Sequence, residues 1–243
     1  MIIVAHRGWS GKAPENTLAA FKLALEESQI QEVELDVHLS KDGIPVVIHD
    51  HTLARTTNGF GFVKDFTFEE LSKLDAGSWF DSSYADEKIP SLEETLQLFK
   101  HSDCKVVIEL KQLANYYNGL EKEVVNLIHQ YEMDSQVVVS SFDHESVMKI
   151  KEYDAAIDTG LIFLGRPTLL VEQMKYTGAK SLSIHYGFVT KEMVNVMLDY
   201  DINVGVWTVD EEEVINKFVK YPKDFRITTN HPDRVIKALQ VEM

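Results

Sequence analysis

The chain has 243 residues, of which 44% are hydrophobic and 26% are charged, and its formal net charge at pH 7 is -15. This acidity argues against a nucleic-acid partner, which requires a basic face to displace counterions, and against docking on anionic membranes. Cys104 is the single cysteine, so no internal disulfide bond can form. No apolar run approaches the roughly 20 residues of a transmembrane helix, and the first residues lack the pattern of a signal peptide. We therefore expect a cytoplasmic protein without stable membrane association.

Short β-rich runs alternate with amphipathic segments along almost the whole chain. The runs predicted to be strands are 2–6, 32–39, 104–110, 136–142, 156–163, 180–185, 202–209 and 224–229. Between them, apolar residues recur at helical spacing, or a capping box such as Ser91 with Glu94 predicts the start of a helix. About eight βα units in a chain close to the ~250 residues of a typical barrel predict a (β/α)8 TIM barrel. An open doubly wound sheet is less favoured, because "HRGWSG" after the first strand lacks the glycine-rich phosphate turn.

One region interrupts this alternation. Residues 51–88, which follow "GIPVVIHD", are rich in Gly, Asp and Ser. Because no core-sized set of apolar residues accompanies them, we predict an insertion after the second strand within a single domain spanning 1–243. Long loops inside compact domains are usually functional.

Acidic side chains gather where the second and third predicted strands end, and active sites of such barrels lie at that face. Glu34 and Asp36 are two residues apart, so they point to the same side of their strand, and Glu109 and Lys111 share this relation on the next strand. Three carboxylates that converge without a cation would repel one another. Carboxylate oxygens suit Mg²⁺ or Ca²⁺, so we predict that Glu34, Asp36 and Glu109 bind a divalent metal.

Cations and histidines lie beside these acids. The first strand ends at His6 and Arg7, and an extension of the second ends at His49 and Asp50. Arg7 and Lys111 together with a metal form an anion site suited to phosphate, and two histidines suggest a general base and a general acid. The combination predicts metal-assisted cleavage of a phosphoester. Asp50 either orients a neighbouring histidine or belongs to a turn, and both interpretations stay open.

Each of these elements alone has a simpler explanation. Two acids at this spacing on a strand are more often a solvated face, and a histidine at a strand end is usually structural. Their coincidence on one rim favours the chemical interpretation. The histidines without that placement are predicted to be structural: His38, His51, His101, His129 and His144.

The motifs, taken in order, resemble those of the glycerophosphodiester phosphodiesterase family. They are "AHRGWSGKAPENTLAAF", "EVELDVHLSKDGIPVVIHD", "TTNGFG", "LDAGSWF", "IPSLEETL", "VIELK", "SSFD", "VWTVD" and "TTNHPD", and they run from His6 nearly to Arg234. The resemblance implies a (β/α)8 barrel with a small insertion after the second strand. It also implies hydrolysis of glycerophosphodiesters, the deacylated phospholipids, to an alcohol and glycerol 3-phosphate.

The resemblance further implies a role for each candidate residue. The metal ligands would be Glu34, Asp36 and Glu109. The acid–base pair would be His6 and His49, and the substrate would be bound by Arg7, Lys111 and Trp207. Trp207 would form an apolar wall near the glycerol, although simple packing at the barrel mouth explains it nearly as well. The implied reaction has two stages, as in the related phosphatidylinositol phospholipases: a glycerol hydroxyl attacks phosphorus to form a cyclic phosphate, and water then opens the ring. His6 is expected to be the first base and His49 the first acid, an order that the sequence alone leaves open.

Two alternative functions remain at this point. One is a lysophospholipase D-like activity on lipids that retain an acyl chain, and the other is a barrel that binds a phosphodiester without cleaving it. The acidic composition and the missing apolar anchor weigh against the first alternative, and the two histidines weigh against the second. The sequence leaves open the head group, the choice between Mg²⁺ and Ca²⁺, and the oligomeric state.

Overall fold

A computed structural model describes residues 1–242, and its strands form one sheet. The strands of this described part are β1 (Ile2–Ala5), β2 (Glu32–Leu39), β3 (Pro45–Val47), β4 (Lys105–Leu110), β5 (Val137–Ser141), β6 (Asp158–Phe163), β7 (Ser181–His185), β8 (Asn203–Trp207) and β9 (Arg226–Thr229). Apart from β3, they pair in parallel in chain order, and β9 pairs with β1 to close the barrel. This confirms the predicted fold, and each predicted strand ends within two residues of an observed one.

Helices follow the strands and cover the barrel. They are α1 (Leu18–Leu25), α2 (Phe68–Leu71), α3 (Leu92–Phe99), α4 (Leu120–Gln130), α5 (His144–Tyr153), α6 (Leu170–Thr177), α7 (Lys191–Asp199), α8 (Glu212–Phe218) and α9 (Pro232–Glu242). The predicted capping box at α3 is present, with Ser91 and Glu94 each accepting a hydrogen bond from the other's backbone N–H. Within residues 1–242, no helix combines the length and the apolar content needed to cross a bilayer.

The two faces of β2 have opposite character. Val33, Leu35 and Val37 are fully buried in the main apolar core together with residues of the surrounding helices, such as Phe21. Because side chains alternate along a strand, Glu34 and the other acids of β2 face the barrel interior. The apolar layer between strands and helices therefore fixes the direction in which the acids point.

The segment interpreted from sequence as an extension of the second strand turns back on itself. After a turn at Gly43, whose φ of 81° suits glycine, β3 pairs antiparallel with the last three residues of β2. Val47 lies opposite Val37, and the Ile48 N–H donates to the Asp36 carbonyl at 3.0 Å. The hairpin therefore returns His49 to the level of Asp36 at the mouth of the barrel.

Residues 51–88 pack on this hairpin through a small apolar cluster. Its buried members are Val46, Ile48, Leu53, Val63, Leu71, Ala76 and Ile89. Gly77 allows the chain to close tightly here, because a Cβ at this position would lie 1.9 Å from the carbonyl oxygen of Tyr84. Since Val46 and Ile48 belong to the hairpin, the insertion is anchored directly to the segment that carries His49. The single-domain organisation stays a prediction.

Candidate active site

Three carboxylates meet at the carboxyl end of β2 and β4. Asp36 lies opposite Glu109 in the parallel register, and oxygens of Glu34, Asp36 and Glu109 all lie within 4.8 Å of one another. The three residues are buried, and Glu34 Oε1 has no hydrogen-bond partner. A buried carboxylate oxygen without a partner is costly, and clustered oxygen donors fit a hard divalent cation. The residues therefore fit the predicted metal site.

The ionisation of the cluster also favours an added cation. Burial and the negative charges of Asp36 and Glu109 raise the pKa of Glu34 well above its usual value. Burial likewise raises the pKa of Glu109, although Lys111 opposes this shift. Burial alone would raise the pKa of Asp36, but Lys111 and Arg7 outweigh it and lower the pKa. A divalent ion would supply the positive charge that full ionisation of all three carboxylates requires.

Lys111 and Arg7 approach the acids from the rim. Lys111 Nζ lies 2.8 Å from Asp36 Oδ1 and donates a hydrogen bond to Glu109 Oε1, while Arg7 Nε lies 3.3 Å from Asp36 Oδ2. Burial opposes the charge on Lys111, but the two carboxylates raise its pKa, so it remains cationic. Both predicted cations therefore lie directly beside the three carboxylates.

The backbone between β1 and the next turn is constrained to hold Arg7. Arg7 adopts a left-handed φ of 57°, and its N–H donates to Glu34 Oε2 at 2.9 Å. Gly8 is also left-handed, and a Cβ there would lie 2.7 Å from the carbonyl carbon of Ala20. A non-glycine residue held at positive φ is a strain typical of functional sites.

His6 is held through an amide. Its Nδ1 lies 2.7 Å from Asn230 Oδ1, and Asn230 Nδ2 donates to Asp210 Oδ2 at 2.6 Å, which fixes the orientation of the amide. Nδ1 therefore carries the proton, and Nε2, 4.0 Å from Glu34 Oε2, is left as an acceptor. Burial, with a contribution from the Arg7 charge, lowers the pKa of His6 to about 4, so the ring is neutral at pH 7.

His49 is held through a carboxylate. Its Nδ1 lies 2.6 Å from Asp50 Oδ1, and this contact favours the orienting role for Asp50 over a turn role. The hydrogen bond from Arg55 is the main cause of the lowered pKa of Asp50, which therefore stays charged beside the ring. Burial lowers the pKa of His49, and Lys111 and Arg7 add to this effect, whereas Asp36 and Asp50 oppose it.

A chain of ion pairs, which sequence reasoning missed, connects the two sides of the site. Arg55 Nε donates to Asp50 Oδ2 at 2.7 Å, and its terminal nitrogens donate to both oxygens of Glu15 at 2.8 Å. Glu15 Oε1 also accepts from Arg7 Nη1 at 2.8 Å. Arg55 belongs to the insertion and Glu15 to the loop after β1, so no sequence spacing links them. The one hint in the sequence was that Glu15 and Arg55 are charged and lie within about ten residues of Arg7 and His49, respectively.

Three further polar residues support the site. Asn16 Nδ2 donates to Asp36 Oδ2 at 2.7 Å, and the fully buried His38 lies 2.9 Å from the His49 carbonyl oxygen and 2.7 Å from the Tyr117 hydroxyl. His38 was predicted to be structural, and here it fixes the backbone of His49. Asn230, which directly follows β9 and was not among the predicted site residues, orients His6.

The predicted site residues line one cavity of about 220 Å³, which runs from the barrel mouth into the barrel interior and which we call the central cavity. Its wall includes His6, Arg7, Glu34, His49, Glu109, Lys111 and Trp207, whereas the fully buried Asp36 lies behind it. The Trp207 ring packs edge-to-face with Phe142, with ring centroids 5.4 Å apart. The cavity wall therefore combines two of the three carboxylates, both cations and a histidine from each of two elements.

The chain is similar in sequence to known phosphodiesterases. The chain matches the model of the Glycerophosphoryl diester phosphodiesterase family over residues 6–234. It is 39% identical over 242 residues to a glycerophosphodiester phosphodiesterase of Caldanaerobacter subterraneus subsp. tengcongensis, with 98% of each chain covered. It is 36% identical over 239 residues to one from Bacillus altitudinis, covering 97% of this chain and 96% of the other.

A solved structure is also similar over the whole barrel. An Oleispira antarctica phosphodiesterase in complex with the product sn-glycerol-3-phosphate superposes with a TM-score of 0.93 at 31% identity. The match covers 99% of this chain and 97% of that one. The comparisons confirm the resemblance drawn from the sequence motifs.

Proposed function

The chain belongs to the glycerophosphoryl diester phosphodiesterase family and is a glycerophosphodiester phosphodiesterase, and from that premise we propose a metal-dependent mechanism with two histidines. The substrate is a glycerophosphodiester, which is cleaved to an alcohol and glycerol 3-phosphate. The observation that carries the proposal is the unpartnered Glu34 Oε1 within three buried carboxylates, beside two cations and two histidines. The product bound in the Oleispira antarctica enzyme supports glycerol 3-phosphate as the product.

Glu34, Asp36 and Glu109 would hold Mg²⁺ or Ca²⁺. A divalent ion held there would supply Lewis-acid chemistry, which polarises a phosphoester and makes a nearby hydroxyl group easier to deprotonate. Arg7 and Lys111 bind phosphate oxygens and offset the negative charge that grows in the transition state. Their existing ion pairs with Asp36 keep both cations directed into the site.

In the first stage, His6 is the base. Its Nε2 is free to accept a proton because Nδ1 donates to Asn230, and its lowered pKa keeps the ring neutral. His6 removes the proton from a glycerol hydroxyl, whose oxygen attacks phosphorus and forms a cyclic phosphate. His49 gives its proton to the oxygen of the departing alcohol, and the adjacent Asp50 stabilises the charged imidazolium that must precede this transfer.

The second stage reverses the two roles. His49 is now neutral and accepts a proton from the water that attacks the cyclic phosphate. His6 is now protonated and returns its proton to the glycerol oxygen as the ring opens. The pair ends in its starting state, and the products are the free alcohol and glycerol 3-phosphate. Trp207 lies at the cavity wall, where it would contact the glycerol carbons.

Metal depletion tests this proposal. We expect a chelator followed by desalting to abolish hydrolysis of glycerophosphocholine, and Mg²⁺ or Ca²⁺ to restore it. Glu109→Gln should raise the metal concentration needed for half-maximal activity by at least about tenfold, because one anionic ligand is lost. Full activity after depletion would contradict the metal site.

A second group of donors provides the matched control. His129, Asp134 and Asp154 also lie close enough together to hold a cation, but they are at the surface between α4 and α5. Asp154→Asn removes a carboxylate as Glu109→Gln does, and it should leave the metal requirement of the reaction unchanged. An equal shift in both variants would place the required ion away from Glu109.

A further inference from the structure

A second depression, which we call the side groove, opens from the central cavity. It has a volume of about 420 Å³ and shares His49, Glu109, Lys111 and Phe142 with the central cavity. Its remaining wall comes from the segment after β3 and from Gln112 and Leu113 after β4, and neither His6 nor Arg7 borders it. The side groove therefore lies on the His49 side of the site.

This position matters for the proposed mechanism, on which the following inference rests. In an in-line displacement, the attacking and departing oxygens lie on opposite sides of phosphorus. The departing oxygen must come within hydrogen-bond reach of the acid, His49. With the glycerol on the His6 side, the departing alcohol extends past His49, and the side groove is the space that continues there.

The side groove presents apolar surface to that alcohol. Leu113 is 57% exposed and Phe142 is 44% exposed, which leaves two large apolar side chains facing water beside the site. Among the charged groups at its inner end, Lys111 is occupied by the phosphate in the proposed mechanism, and Asp50 pairs with His49 and Arg55. An anionic head group would therefore gain no free cation from these residues.

A hydrogen bond ties the loop that carries Leu113 to the loop that carries Phe142. Ala114 and Asn115, which follow Leu113, both have left-handed φ values, 45° and 67°. The Ala114 N–H donates to Asp143 Oδ2 at 2.7 Å, and Asp143 directly follows Phe142. Two consecutive strained residues tied to the neighbouring loop are a costly arrangement, which is typical of a binding site.

We propose that the side groove binds the departing alcohol and that Leu113 and Phe142 select alcohols with apolar surface over polyols. A quaternary ammonium alcohol has the matching chemistry, because its methyl groups bury against Leu113 and its positive charge is attracted to the face of the Phe142 ring. The substrate class is then a glycerophosphodiester whose alcohol carries methyl groups or another apolar portion.

The test compares substrates that differ only in the alcohol. Glycerophosphocholine fills the side groove, glycerophosphomethanol does not reach it, and glycerophosphoinositol offers a polyol. For each, kcat/KM is measured at saturating metal in the wild-type chain and in Leu113→Ala. We expect the choline-to-methanol ratio of kcat/KM to fall by roughly tenfold in the variant, as for the loss of an apolar contact in a specificity pocket.

The controls are exposed apolar residues elsewhere at the mouth. Leu164, which is 64% exposed, and Phe188, which is 44% exposed, border neither the central cavity nor the side groove. Leu164→Ala and Phe188→Ala should keep the wild-type ratio, while Phe142→Ala should lower it as Leu113→Ala does.

The outcomes separate two failures. An unchanged ratio in Leu113→Ala, or a wild-type preference for the inositol ester over the choline ester, would overturn the side-groove proposal. The proposed function would stand in that case, because all the esters would still be hydrolysed. Absence of hydrolysis of every ester at saturating metal would instead overturn the proposed function.

Discussion

At the scale of single residues, the two histidines differ in the group that holds Nδ1. His6 donates to the neutral amide of Asn230, whereas His49 faces the charged carboxylate of Asp50. Burial lowers the pKa of both rings, but the anionic Asp50 opposes this effect at His49 and stabilises its imidazolium form, whereas the amide brings no such charge to His6. Opposite environments of this kind are how a pair of titratable groups is divided into base and acid. This difference supports the proposed order, in which His6 is the base and His49 the acid of the first stage.

Replacing Arg55 should impair the acid, His49, without direct contact to the base, His6. It anchors Asp50 and, through Glu15, connects to Arg7, so we assign it as a positioning residue that acts through His49. We expect Arg55→Gln to lower kcat for glycerophosphocholine by roughly 10- to 100-fold, the range found when an orienting partner is removed. Steady-state kinetics with circular dichroism as a folding check would measure it.

A leaving-group comparison separates this role from general destabilisation. In a nitrophenyl ester of glycerophosphate, the leaving group departs as a stable nitrophenolate anion without protonation. Cleavage of this ester therefore does not need His49 as an acid. Arg55→Gln should therefore be far less impaired on this ester than on glycerophosphocholine. Equal losses on both would contradict the assignment, and Arg166→Gln, at an exposed loop position, should affect neither.

The sequence predicted those site residues whose relation is set by strand geometry. Glu34 and Asp36 share a face because side chains alternate along β2, and Glu109 follows because β4 is the neighbouring parallel strand. Arg55 and Glu15 were not predictable, because their contact depends on how residues 51–88 fold back over the loop after β1. Their roles, like those of the predicted residues, stay proposals.

At the scale of elements, the loop after β4 and the start of α5 are coupled through Asp143. One of its carboxylate oxygens accepts from the Ser146 N–H at 3.2 Å and caps α5, while the other accepts from the Ala114 N–H at 2.7 Å. Asp143→Ala removes both bonds, so we expect the free energy of unfolding to fall by about 1 kcal/mol. Urea denaturation followed by fluorescence would measure this change.

Asp143→Asn separates the helix cap of α5 from the hydrogen bond to the Ala114 N–H. Its amide oxygen can still cap α5, but its nitrogen cannot accept from the Ala114 N–H. We expect near wild-type stability together with a lowered choline-to-methanol ratio, because the loop carrying Leu113 is released. A variant that retained the wild-type ratio would show that this bond does not shape the side groove.

Elements differ in how far the sequence predicted them. The barrel strands were predicted well because their apolar faces are continuous and the βα alternation repeats. The hairpin of β2 and β3 was not, because the apolar run after Gly43 has the same composition whether it continues a strand or folds back. Only pairing with Val37 and its neighbours distinguishes the two, and that pairing depends on tertiary structure.

At the scale of the whole molecule, Cys104 reports on the closure of the barrel. It precedes β4 and is only 8% exposed, and burial, with a smaller effect of Glu32, raises the pKa of its thiol to about 12. We expect a thiol reagent at pH 8 to leave the native chain unmodified and to react once urea unfolds it. Rapid modification without denaturant would contradict a closed barrel at this position.

The same thiol makes stability depend on pH. Above about pH 9, the unfolded chain releases the thiol proton while the folded chain retains it, so the unfolded state binds fewer protons and stability falls as pH rises. The decline continues toward the folded pKa of about 12. Urea midpoints between pH 8 and pH 10 should fall less steeply in Cys104→Ala than in the wild-type chain.

The net charge of -15 gives the last prediction, because it acts on the substrate before any contact forms. Glycerophosphoinositol carries a net negative charge and is repelled by an acidic protein, whereas glycerophosphocholine is zwitterionic and has no net charge. Salt screens such repulsion, since the Debye length shortens from about 30 Å at 0.01 M to about 8 Å at 0.15 M. We expect kcat/KM for the inositol ester to rise about two- to threefold over this range at saturating metal.

The choline ester serves as the internal control, because its kcat/KM should change little when the same salt is added. Any effect of salt on the fold, on the metal site or on the chemical step applies to both esters and cancels in their ratio. A ratio that moved toward the choline ester at higher salt would mean that Arg7, Lys111 and the bound ion dominate the field that the substrate meets. Association would then be governed by the barrel mouth, and the acidic surface would have no part in it.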